Sequence, residues 1–385
     1  MVTVEKGDVV IVGGGIVGVS IAYHLARRGM KDVILLERGS LGGGSTGLCA
    51  GGIRTQFSTD INIRFSRESL EFWTRFEELT GVDLEFRQVG YLFLATRPET
   101  LDLFRRNVRL QRSFGLPVEL LSPEEIHYRW PFLRWEDLAG GTFCALDGYA
   151  GPYEAMTGMV RVARRLGVRI REQTEVVGVY GRSGRITGVE TSTGKIETRI
   201  VVNATGPWAS ITGRMAGVEI PVKPVRRQLF VTAPFSLSDE PIPMVIDFDQ
   251  GWYFRQEGKG LLLAGPVDRE PSFRTSIEPS AMAETAEKAI ARVPALQEAR
   301  MARGWAGLYE ISPDHHAILG PVRDLEGFVT ANGFSGHGFQ HSPAAGRLIA
   351  DFVTGEGVSQ DLLRLCLERF EKGETIEEPM TAFRE

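Results

Sequence analysis

The stretch VVIVGGGIVGVSIAYHLA, Val9 to Ala26, carries no formally charged side chain. Its length alone matches a membrane-spanning helix. Four glycines, Gly13, Gly14, Gly15 and Gly18, interrupt it, and no second stretch of this kind exists elsewhere in the chain. The flanks decide the reading. DVVIV is rich in β-branched residues, as suits a strand buried on both faces. VSIAYHLARRG reads as a helix ending at Gly29, and DVILLERG as a second strand finishing on Glu37.

Strand, glycine turn, helix, strand and acid thus follow one another within one dinucleotide-binding unit. Gly13 allows the tight turn, and Gly15 lets the backbone approach a pyrophosphate at the positive end of the helix. Ile16 and Val17 open that helix. Gly18 lets helix and strand pack closely. Glu37 is placed to accept hydrogen bonds from ribose hydroxyls, which disfavours a 2′-phosphate. The fold class expected is therefore α/β, with a Rossmann-like domain.

The rest of the composition is compatible with this. The chain has 385 residues, 43% hydrophobic and 24% charged, as in ordinary globular proteins. A net charge of −5 gives no reason to expect nucleic acid as a partner. Cys49, Cys144 and Cys366 are widely spaced and odd in number, which suits a reducing cytoplasm. The histidines show no metal-ligand spacing, so no metal is expected. The N-terminus lacks a basic n-region, and a cytoplasmic location without a membrane span follows as the expectation.

The stretch after Glu37, RGSLGGGSTGLCAGGIR, points to FAD rather than NAD. A long glycine- and serine-rich segment there suits an extended pyrophosphate and ribityl chain that need close backbone approach. Arg38, Ser45 and Thr46 fall in it. TRIVVNATGPWAS later gives a strand ending in Ala204, Thr205 and Gly206. GFVTANGFSGHGFQHSPAAGRLIADFVTG gives a strand, a glycine turn and a helix, whose amides would face a flavin and favour negative charge on it. Gly336, His337, Gly338, Phe339 and Gln340 lie in that turn.

These segments resemble the amine-oxidising flavoprotein family that includes monomeric sarcosine oxidase, glycine oxidase, D-amino acid oxidase and the β subunits of sarcosine oxidase and proline dehydrogenase complexes. The carriers are VVIVGGGIVGVSIAYHLARRG at 9–29 with Glu37, GSTGLCAGGIR ending at Arg54, ATGPW at 204–208, PVRRQ at 224–228 and GFSGHGFQHSP at 333–343. The resemblance implies an FAD-binding domain interleaved with an antiparallel β-sheet substrate domain. It places the first at 5–85, 150–215 and 305–365 and the second at 86–149 and 216–304, with a C-terminal tail at 366–385 whose charged stretch EKGETIEEPMTAFRE, 371–385, is expected to be mobile. It also implies flavin-dependent oxidation of a small amino acid, a secondary amine such as sarcosine or L-proline, to an imine, with reoxidation by oxygen. A β subunit of a proline or sarcosine dehydrogenase complex, passing electrons to another acceptor, is one alternative. A glycine or D-amino acid oxidase is the other. The chain would act as a monomer or as a subunit of an oxidoreductase complex.

Such chemistry needs a carboxylate anchor, an unprotonated amine and one C–H aimed at the flavin. Arginine suits the anchor because its fork matches two oxygens. Arg54 matches the family's carboxylate-binding arginine. DQGWYFRQEGKGLLLAG reads as a hairpin, on which Tyr253 matches the family's substrate-facing tyrosine. Arg255 shares its face by strand alternation. Tyr309 matches another active-site tyrosine, and Val176 a position whose backbone contacts adenine. Two departures matter. Gly307 stands where the sarcosine oxidases tether their flavin to a cysteine, so FAD is expected to be non-covalent. Leu262 stands where the family's oxygen-activating lysine lies, and Gln340 replaces a second lysine. Lys259 is the one lysine near.

Overall fold

The computed structural model describes residues 5–380. Its first sheet runs in the order 318–321, 328–332, 200–203, 9–12, 33–36, 169–171. All neighbours in it pair in parallel except the first two. The strands Val9–Val12 and Val33–Leu36 are buried along their whole length, as a sheet covered on both faces requires. The helix Ile16–Arg27 follows the glycine turn and packs against the helix Gly338–Thr354. The strand–turn–helix reading of the opening stretch is thus what forms. Gly29, with φ of +77°, follows the helix end.

A second sheet of eight strands carries Met301–Ile311, Lys223–Thr232, Gly260–Val267, Trp252–Glu257, Met244–Asp247, Tyr91–Ala95, Gly140–Cys144 and Glu119–Leu121, in that spatial order. It is antiparallel apart from one pair, 244–247 with 91–95. The hairpin turns at Glu257 and Gly260. The Met301–Ile311 strand runs on toward the glycine turn at 333–338, where Ile311 bridges Phe334. A smaller four-stranded sheet joins residues 5–6, 194–197, 185–191 and 176–182. Among the described residues no helix is long and apolar enough to cross a membrane.

Two residues of the expected mobile tail are packed against the body of the protein. Glu378 and Met380 are each 2% exposed. The Glu378 carboxylate accepts hydrogen bonds from Ser58 N (2.8 Å), Thr59 Oγ1 (3.0 Å) and Asn62 Nδ2 (3.0 Å). These donors cluster at the start of the helix Asp60–Thr74, where a negative charge is favoured. A charge that looks solvated in sequence is therefore a long-range staple. Residues 381–385 of that tail lie outside the described residues.

Candidate active site

A cavity of about 1050 Å³ opens between the two large sheets, at the upper end of the range of small-molecule and cofactor sites. The glycine turn, the segment after Glu37, the 204–206 turn and the 335–340 turn all line it. The chain brings these four distant segments together because three parallel strands of the first sheet, 9–12, 200–203 and 328–332, end side by side.

The glycine turn is fixed by close approach. A Cβ on Gly13, whose φ is +111°, would sit 2.3 Å from the carbonyl oxygen of Ala204. Only glycine lets the first and third turns touch there. A Cβ on Gly18 would meet the Gly13 carbonyl oxygen at 2.0 Å, so Gly18 serves packing and does not line the cavity. Gly15 caps the helix with no side-chain hydrogen bond, and no acidic residue lies in the first helical turn. That helix end retains its positive field for an anion. Thr46 Oγ1 accepts from Ile16 N at 3.0 Å and Ser45 Oγ donates to Leu308 O at 2.6 Å, which holds the long loop in place. Glu37 accepts from Gly14 N at 2.8 Å and Gly39 N at 2.7 Å. Glu37 lines the cavity beside Arg38, whose guanidinium covers the Trp208 ring at 3.9 Å. Ile16, Val17, Val176, Ala204, Thr205, Gly206 and Gly307 also line the wall, as do Gly336, His337, Gly338, Phe339 and Gln340.

Arg54 lines the opposite part of the cavity and is 8% exposed. Its Nη2 donates to Met380 O at 2.9 Å and lies 3.1 Å from His337 Nε2; Nη1 donates to Gln56 O. Its backbone N–H donates to Gln340 Oε1 at 2.7 Å. Burial pushes the His337 ring well below its ordinary pKa, with Arg54 adding to the effect. The ring is therefore neutral, and since a guanidinium only donates, Nε2 is the unprotonated nitrogen. Burial also lowers Arg54, opposed first by the Glu378 carboxylate. No carboxylate forms an ion pair with Arg54 among the described residues. Asp147 locks the following backbone by accepting from Thr55 N, Thr55 Oγ1 and Gln56 Nε2 at 2.7–3.0 Å. Burial pushes its carboxyl up to about 6.

Tyr253 and Tyr309 line the cavity between these parts and are hydrogen-bonded to each other. Burial raises the Tyr253 phenol well above its ordinary value, so it is a neutral donor. The carboxyl of Glu310, next to Tyr309 in the strand Met301–Ile311, also borders the cavity and accepts from Gly333 N at 3.0 Å. It is pushed up to about 7 by burial.

Arg255 is not part of this wall. It shares a strand face with Tyr253, as alternation demands, but its Nε donates to Ala50 O (2.8 Å) and its Nη1 pairs with Glu257 (2.7 Å). The guanidinium also covers the Tyr149 ring at 4.4 Å. Two residues along a strand is about 7 Å, enough to carry the side chain past the cavity to the hairpin turn. Arg227, quoted above only within PVRRQ, lines the cavity instead. Strand alternation separates it from Arg226, which turns the other way to Asp268 and Glu278. That alternation was the available signal, and Leu229 two residues on shares the wall. Leu262 is 1% exposed, packs in the apolar cluster with Tyr91 and Met244, and does not line the cavity. His316 is a buried structural residue, bonded to Asp314 O and Thr59 Oγ1.

A family model described as "DAO: FAD dependent oxidoreductase" matches residues 8–352. The chain belongs to this flavoprotein family. It is 32% identical to the mitochondrial dimethylglycine dehydrogenase of Rattus norvegicus over 97% of its length and 46% of that protein. The chain thus spans about half the length of such curated relatives. Among solved structures it is similar to L-proline dehydrogenase from P. horikoshii, with a TM-score of 0.91 and 36% identity, covering 97% of this chain and 100% of that one. Glycine oxidase from Geobacillus kaustophilus follows at a TM-score of 0.85 and 27% identity, covering 95% and 99%.

The wall fits the cofactor of this flavoprotein family. A Cβ on Gly15 would protrude into the cavity, with Thr46 Oγ1 at 3.3 Å as its one near neighbour. That is the space a pyrophosphate needs at the start of the helix Ile16–Arg27. The second open helix end, at His337 and Gly338, has no side-chain cap either. Gly307 lies in the wall with Leu48 Cβ 3.2 Å from where a side chain would begin, and no cysteine thiol stands in its place.

Proposed function

We propose that this chain oxidises a small amino acid bearing a secondary amine, with L-proline and sarcosine as the leading substrates, to the corresponding imine. The observation that carries this reading is Arg54: a buried guanidinium without a carboxylate partner among the described residues, on the wall of a glycine-lined cavity. Such a charge is costly unless an anion completes it. Bound FAD, held without a covalent tether, supplies the hydride acceptor for the carbon next to nitrogen.

The residues divide the remaining work. Arg54 takes the substrate carboxylate, held in place by Gln56, Met380 and neutral His337. Gln340 fixes the Arg54 backbone through its amide oxygen. The bonded Tyr253 and Tyr309 phenols form a dry wall that orients the amine and excludes water. Tyr253 stays neutral, so it does not compete as an anion for the guanidinium. The Gly13–Gly18 turn, Glu37 and the 335–340 turn would hold the cofactor.

The absence of lysine from the cavity wall among the described residues, together with the likeness to a proline dehydrogenase along its whole length, favours an acceptor other than oxygen. An anaerobic screen of L-proline, sarcosine, dimethylglycine, glycine and D-alanine for bleaching of the flavin band tests the reading. Bleaching by a secondary amine first, and by glycine or D-alanine weakly, is expected. Bleaching by dithionite alone, with every amine inert, overturns it.

A further inference from the structure

Six arginines among the described residues are buried: Arg54, Arg226, Arg227, Arg255, Arg292 and Arg369. Four of them carry carboxylate partners. Arg226 pairs with Asp268 and Glu278, Arg255 with Glu257, Arg292 with Asp137 and Asp247, and Arg369 with Asp314. The remaining two, Arg54 and Arg227, are the two that line the cavity. Where this chain buries a guanidinium for structural reasons, it supplies a carboxylate. For the two guanidinia on the cavity wall it supplies no ion-paired carboxylate among the described residues.

Arg227 is the more extreme case. It is 2% exposed, and its Nε and Nη1 have no hydrogen-bond partner. Nη2 makes one long bond, 3.3 Å, to Gly251 O. The Tyr253 ring lies over the guanidinium at 4.9 Å. A cation–π contact offsets part of the lost hydration, but the three N–H bonds on Nε and Nη1 remain without an acceptor among the described residues. Arg54, by contrast, has both its terminal nitrogens engaged. The two guanidinia act on different tyrosines. Arg227 is among the charges acting on Tyr253, and Arg54 among those acting on Tyr91.

We infer that Arg227 is a second anion anchor in this cavity, and that the substrate is a secondary-amine amino acid carrying two carboxylates, one for Arg54 and one for Arg227. This rests on the amino acid oxidation proposed above and moves its preferred substrate from the monocarboxylates proline and sarcosine to a dicarboxylate of the same amine class, with sarcosine left as a slower substrate. The bidentate fork then satisfies the N–H groups that have no partner in its absence.

Sarcosine and N-(carboxymethyl)glycine share an amine and an α-carboxylate and differ by one added carboxylate. Anaerobic flavin reduction in the holoenzyme should favour the dicarboxylate by roughly tenfold or more in kcat/KM. Arg227→Met should cut that of the dicarboxylate by about 30-fold or more and leave sarcosine within about threefold. Flavin content and spectrum should be unchanged. Arg227→Lys, which keeps the charge and folds where the methionine variant fails to, should fall between. A preference for sarcosine in the unaltered enzyme overturns the inference. So do equal losses on both substrates, which make Arg227 an α-carboxylate anchor, and flavin release or a shifted spectrum, which make it a cofactor ligand. If no amine reduces the flavin, the oxidation reading falls separately, and titration of the flavin spectrum with glutarate and butyrate then decides. Tighter glutarate binding that Arg227→Lys weakens supports the second anchor, and equal binding removes it.

Discussion

The carbonyl oxygen of Met380 accepts a hydrogen bond from Arg54 Nη2 at 2.9 Å, so the described end of the chain closes on the guanidinium proposed above as the carboxylate anchor. Two residues earlier, Glu378 is tied to the first turn of the helix Asp60–Thr74 and is the leading counter-charge acting on Arg54. One segment thus sets both the position and the field of the proposed anchor. A substrate carboxylate must meet Arg54 with this strap in place.

Glu378→Ala is expected to destabilise the protein by about 2–3 kcal/mol, because three donors lose a buried charged acceptor at once. Glu378→Gln, which keeps an acceptor oxygen, should cost less. Urea unfolding monitored by tryptophan fluorescence gives both values. A loss below about 0.5 kcal/mol for the alanine variant would place this contact among surface effects and discard the staple.

Arg54→Lys keeps the charge and removes the fork. A roughly 10–100-fold loss in kcat/KM is expected for a carboxylate-bearing amine, about 1.4–2.7 kcal/mol of transition-state binding. An amine of similar size without a carboxylate should be indifferent to the change. Equal losses for both amines would assign Arg54 to support of the cofactor and the strap rather than to the substrate.

Glu310 links stability to pH. Its carboxyl, raised from about 4.5 to about 7 by burial, holds a proton in the folded state over a window where the unfolded chain has released it. Its contribution is complete below the unfolded value and disappears as pH rises through the folded one, so stability falls across that window. A shift of this size is worth at most about 3 kcal/mol. Glu310→Gln removes the titration, so the variant should gain stability relative to the parent on passing from about pH 5 to about pH 8. Unfolding free energies at the two pH values measure the gain, and parallel pH profiles would show that Glu310 ionises at its ordinary value.

The parts legible in the sequence were those set by local backbone chemistry. Gly13, Gly15 and Gly18 announce a turn and a helix whose geometry is decided within a few residues, and Glu37 follows at the end of the next strand. Tyr309 and Arg54 followed from resemblance, residue by residue. Arg255 and Arg227 show where that procedure stops. Both are arginines on strands of one sheet, and alternation gives the face but not how far along it a long side chain reaches. Arg255 had a competing partner in Glu257, two residues away, and an acceptor at Ala50, 205 positions distant. Glu378 was hidden for the same reason: its donors at Ser58, Thr59 and Asn62 lie more than 300 positions away.

Reaction with oxygen tests the cavity wall directly. Dioxygen reduction is assisted by fixed positive charge where the developing anion forms. No lysine lines the cavity among the described residues. Leu262 is packed into an apolar cluster, and Lys259 is exposed at the hairpin turn. The guanidinia that remain are Arg54, whose terminal nitrogens are engaged by Gln56, Met380 and His337, and Arg227, covered by Tyr253. Reduced holoenzyme should therefore react with air at least about tenfold more slowly than with an artificial quinone acceptor. Lys259→Met should leave both rates unchanged, since its ammonium is in solvent and screened. Stopped-flow measurement of the two oxidative half-reactions separates the cases. Rapid reaction with oxygen in the unaltered enzyme, lost in Arg227→Met but retained in Lys259→Met, would make Arg227 the oxygen-directing charge and return the chain to the oxidases.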